Sequence, residues 1–134
     1  MTKMDMVWVA VASMLHPGTN TSKTVTRDQI EAQVAEFFGA SIKRVMIERH
    51  LVSSESRQAD KAAPQRGGSR NRYLFRTANG KEPSSDGSFR LYKYADSQHD
   101  GWEKTGPTHP DSDAVATEYR FLIEWYESQY VASL

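Results

Sequence analysis

The chain has 134 residues, 38% of them hydrophobic, with a mean hydropathy of -0.67, no cysteine, and 17 basic side chains against 17 acidic ones. That length suits one domain with a modest core, and the low apolar content leaves long stretches for solvent-facing loop. Without cysteine there is no disulfide framework, no thiolate metal site and no thiol nucleophile, which is compatible with the cytoplasm.

The neutral total conceals a strong segregation of charge. Residues 1–42 carry net -1, residues 43–76 net +6, residues 77–95 net +1 and residues 96–134 net -6. A basic middle and an acidic tail say more about partners than the overall balance does.

Residues 6–15, MVWVAVASML, are apolar but too short to span a bilayer, and they lack the basic start and longer core of a signal peptide. They are expected to form a buried first helix, with Met4, Val7, Trp8, Val11 and Leu15 on one face. His16-Pro17-Gly18 stops it, because proline cannot continue the hydrogen-bond ladder. No membrane association is expected.

A second helix begins at Thr26. Its hydroxyl can cap the free amides while Gln29 reaches back, and Val25 and Ile30 are spaced as a hydrophobic staple. Ile30, Val34, Phe37 and Phe38 form its apolar stripe, and Gly39 can close it in a left-handed conformation. Ser41 can then cap a third helix over residues 42–52, with Ile42, Val45 and Met46 inward and Lys43 and Arg44 outward, Arg49 or His50 with them. Helix, short glycine turn, helix with a basic outer face is a helix-turn-helix arrangement.

The polar run 53–71 leads to two short, aromatic-rich segments, 72–77 and 89–94. Tyr73 and Phe75 share one face of the first; Phe89 and Leu91 of the second flank an outward Arg90. Asn79-Gly80 and Asp86-Gly87 between them are turn formers, so an antiparallel hairpin is expected. Residues 95–110 form an irregular connection, pinned by Trp102. Residues 111–133 read as a final helix capped by Asp111, Ser112 or Asp113, with an apolar stripe of Val115, Tyr119, Leu122, Ile123, Tyr126 and Tyr130. That stripe packs on the first helix and hairpin, or on a second copy through Tyr119, Leu122, Ile123 and Tyr126.

The expectation is therefore a single α+β domain, residues 1–134. Three N-terminal helices and a hairpin over residues 4–94 resemble a winged-helix domain, with the C-terminal helix an addition. The run DKAAPQRGGSRNRYLFRT, residues 60–77, is also similar to the core of small bacterial proteins with a helix-turn-helix-like front half. The winged-helix resemblance implies a third helix entering a groove and a wing touching backbone. One departure stands out: the long stretch between the third helix and the first wing strand carries much of the charge, while the wing tip has only Lys81 against Glu82 and Asp86.

The candidate site follows from this. Lys43, Arg44 and Arg49 belong to the third helix, and Arg57, Lys61, Arg66, Arg70 and Arg72 to the basic stretch. Arginines grip phosphate oxygens bidentately and can read guanine, and Gly67 and Gly68 let backbone amides approach an anion closely. Ser69 lies between those glycines and Arg70, and Asn71 can pair with adenine or make a local turn. DNA or another polyanion is the expected partner. An acidic protein partner, or neutralisation of Arg70, Arg72 and Arg76 by Glu118, Glu124 or Glu127 of the same chain, is the alternative. Tyr73, Phe75, Phe89, Tyr92 and Tyr94 can stack on bases or serve the core.

Enzyme chemistry is not expected. Gly67-Gly68-Ser69 lacks the lysine of a phosphate-binding loop. Asp100, Glu103 and Lys104 resemble the carboxylate-lysine set of metal-dependent nucleases, but adjacent Glu103 and Lys104 point to opposite faces of a strand. His16, His50, His99 and His109 show no metal-ligand spacing, so no catalytic residue, metal or cofactor is assigned.

Overall fold

A computed structural model gives the fold and describes residues 1–20, 22–43, 73–77, 88–97 and 107–133. Its centre is helix α1, Lys3–Leu15. Thr2 caps it in a capping box with Asp5: the Asp5 amide donates to Thr2 Oγ1 at 3.1 Å, and the Thr2 amide faces Asp5 Oδ2 at 3.4 Å. The apolar spacing predicts one buried face, yet every residue from Val7 to Ala12 is fully buried. A helix that is apolar all round belongs inside, and α1 is covered by the second helix, the sheet and the C-terminal helix. Each buried valine or leucine along it contributes about 1.5–3 kcal/mol of transfer free energy. The helix stops at His16, whose bond to Pro17 is cis.

Strand β1, Val25–Thr26, runs directly into helix α2, Arg27–Phe38. Thr26 both ends the strand and caps the helix: the Gln29 amide donates to Thr26 Oγ1 at 3.2 Å, and the Thr26 amide to Gln29 Oε1 at 2.8 Å. Val25 and Ile30, the staple pair, are both buried, as is Val34. Gln33 Nε2 donates to Ser13 Oγ at 3.0 Å, tying α2 to α1 through a polar contact beside the core.

Strands β2, Leu74–Thr77, and β3, Ser88–Leu91, form the expected antiparallel hairpin, with Leu74 opposite Leu91 and Thr77 opposite Ser88. β1 joins it on the other side, Val25 opposite Phe89, so the sheet order is β1-β3-β2. The mixture of helices with a small antiparallel sheet is an α+β architecture. β3 ends at Leu91, short of the expected residue 94, although the Tyr92 amide still donates to the Tyr73 carbonyl at 3.0 Å. Residues Tyr94–Ser97 turn into a short 3-10 helix instead.

Arg90 departs from the sequence expectation. Its alternation with Phe89 and Leu91 predicts an outward side chain, but it is buried, and its Nη1 donates to the Leu91 carbonyl at 3.1 Å. Period-two alternation puts Arg90 on the other face of the sheet, and that face is covered as well. Lys93 is buried too, its ammonium donating to the Thr19 carbonyl and lying 4.6 Å from the centroid of the Tyr130 ring.

The C-terminal segment is not one helix over residues 111–133. Ser112–Ala114 and Thr117–Tyr119 are separate 3-10 turns, Arg120–Trp125 is α-helical, and Tyr126–Tyr130 widens into a π turn. Asp111 precedes the first turn without a side-chain cap bond. The break lies at Val115 and Ala116, with ψ of 135° and 143°. Extended backbone there sends Val115 into the core, and Arg120 Nε takes the Val115 carbonyl at 2.9 Å in place of a helical amide.

Candidate nucleic-acid interface

The predicted interface starts where α2 ends. Gly39 closes the helix at φ 61° and ψ 25°, its amide donating to the Ala35 carbonyl at 2.9 Å. This left-handed geometry favours glycine, because a side chain would crowd the backbone. The chain then exposes Ser41, buries Ile42 to 5% and exposes Lys43. Ile42 is an apolar anchor that turns the first cation of the basic stretch toward solvent.

Of the residues assigned to nucleic-acid contact, Lys43 is placed here. Arg44, Arg49, Arg57, Lys61, Arg66, Gly67, Gly68, Ser69, Arg70, Asn71 and Arg72 lie outside the described residues, as do the wing tip, Trp102 and all of the predicted third helix but Ile42 and Lys43, which are not helical. The described residues on either side of the stretch include buried Ile42 and Tyr73, which is 2% exposed. Burial, with smaller contributions from the charges of Asp5 and Asp111, pushes the Tyr73 hydroxyl well above the usual tyrosine range.

The aromatic residues sort cleanly. Tyr73, Phe89 and Tyr92 are buried and serve the core. Tyr94 is 48% exposed, its ring edge-on to Tyr92 at 6.4 Å, and its amide donates to the Val131 carbonyl at 2.8 Å. Phe75 aside, whose burial lies outside the described residues, it is the exposed member of the predicted stacking set.

The field outside is set as much by the cations that are withdrawn. Arg90 and Lys93 are buried, so the positive charge of residues 77–95 is largely internal. Sequence reasoning places neither in the core. The aromatic flanks Tyr92 and Tyr94 around Lys93 are the one local hint that its stem packs against rings.

On the opposite account, Asp111, Asp113, Glu118, Glu124 and Glu127 are all exposed. Glu127 meets His109, Nε2 to Oε1 at 3.0 Å, while His109 Nδ1 lies 2.6 Å from the Pro110 carbonyl. Among the described residues no group of three potential ligands comes together around a metal-sized site. His109 instead packs beside Trp8 and Tyr126, with ring centroids 6.2 and 5.7 Å away.

The four residues assigned to a dimer interface are mostly used inside the chain. Leu122, Ile123 and Tyr126 are 1%, 3% and 0% exposed. Tyr119 stacks on Phe37, centroids 5.4 Å apart, and meets Phe38 edge-on at 5.5 Å. The stripe therefore packs on α1, α2 and the hairpin, because these helix positions face the core of their own domain. Phe121, outside the stripe, is the exposed ring on this helix, at 49%. Among the described residues no helix is long and apolar enough to cross a membrane.

Comparison with protein families, with curated proteins and with solved structures gives no match to this chain.

Proposed function

We propose that this chain is a non-enzymatic nucleic-acid-binding protein of winged-helix-like build, with double-stranded DNA as its ligand. Lys43, Arg44 and Arg49 contact the groove or its backbone, and Arg57, Lys61, Arg66, Arg70 and Arg72 hold phosphates, with Gly67 and Gly68 giving close backbone approach. The observation that carries the reading is the junction after α2. A left-handed Gly39 that ends α2, a buried Ile42 and an exposed Lys43 support a turn there that sets the first cation of the basic stretch outward.

Two further features support it. Helices come first and an antiparallel hairpin follows, with β1 between α1 and α2 lacing the helical half to that hairpin. Arg90 and Lys93 are occupied internally, which leaves the 43–76 stretch as the chain's concentrated positive charge.

The test is equilibrium binding of a labelled random-sequence duplex by the full chain, read by fluorescence anisotropy. Saturable binding that is lost when Arg66, Arg70 and Arg72 are changed together to alanine is the expected outcome. Absence of binding even at about 50 mM salt, where phosphate contacts are strongest, overturns it.

A further inference from the structure

We draw no further inference here: the strongest candidate, the surface patch on the C-terminal helix where the half-exposed Phe121 ring meets His16 edge-on, carries none because nothing among the described residues shows what covers it.

Discussion

The Tyr126 hydroxyl donates to the main-chain carbonyl of Tyr92 across 2.6 Å in the core. This bond fastens the C-terminal π turn to the residue that follows β3, and so holds the tail against the hairpin. Replacing Tyr126 with phenylalanine keeps the ring contacts to Trp8 and Tyr130 and removes the hydroxyl, with its bond to Tyr92 and its hydrogen bond with Thr108. The expected loss is about 1–2 kcal/mol of unfolding free energy with an unchanged urea m value. A variant as stable as the parent shows that the bond is not holding the tail.

The same hydroxyl predicts how stability responds to alkali. Burial, together with neighbouring tyrosines and against a lowering hydrogen bond from Thr108, raises the Tyr126 hydroxyl well above its usual range. Because the folded value lies above the unfolded one, the contribution is intact below about pH 10 and falls as pH climbs toward the folded value. Denaturation curves between pH 8 and pH 12 are expected to lose about 1.4 kcal/mol per pH unit for this one group once past about pH 10. The Tyr126→Phe variant should lose that much less steeply. Parallel curves for parent and variant contradict the assignment.

Gly39 sits at φ 61° with nothing within 4 Å of the position a Cβ would take. The space is open, so Gly39→Ala is expected to cost about 1 kcal/mol through backbone conformation alone. Asparagine there should recover part of the loss, since its side chain tolerates the left-handed region. Equal stabilities for the glycine, alanine and asparagine chains contradict the left-handed cap.

At the other end of α2, Thr26→Ala removes the acceptor for the Gln29 amide and is expected to cost about 1 kcal/mol. Twelve residues at about 1.5 Å each separate the two caps, far enough for their effects to add within about 0.5 kcal/mol. A Thr26→Ala, Gly39→Ala double variant that falls well short of the sum indicates that the two ends do not act as independent caps.

The parts legible in the sequence are those written in short-range signals. Thr26 with Gln29, Val25 with Ile30, and Gly39 each act within five residues; the capping box and the left-handed cap form, and Val25 and Ile30 are both buried. The hairpin was legible from its turn residues and alternation. What depends on distant cover was not. Arg90 alternates as a solvent-facing residue, yet it is buried, and alternation within one strand carries no signal of cover on its second face. The break at Val115 and Ala116 carries no glycine or proline; it arises because Val115 is drawn into the core and Arg120 satisfies its carbonyl. Val115, Leu122, Ile123, Tyr126 and Tyr130 of the C-terminal apolar stripe are buried and Tyr119 is half-buried, but periodicity cannot say whether its own chain or a second copy covers such a stripe. For the candidate site, charge segregation points to residues 43–76, and Ile42 and Tyr73 beside the undescribed part of that stretch are both buried.

The salt dependence of duplex affinity is the most direct measure of whether that stretch grips phosphates. Each phosphate neutralised contributes about -0.9 to the slope of log affinity against log salt. The parent chain is expected to give a steep slope, and the Arg66, Arg70 and Arg72→Ala chain one shallower by about three, with weaker binding across all duplex sequences. An affinity that does not change with salt, or a slope that survives removal of all three arginines, contradicts nucleic-acid binding through the basic stretch.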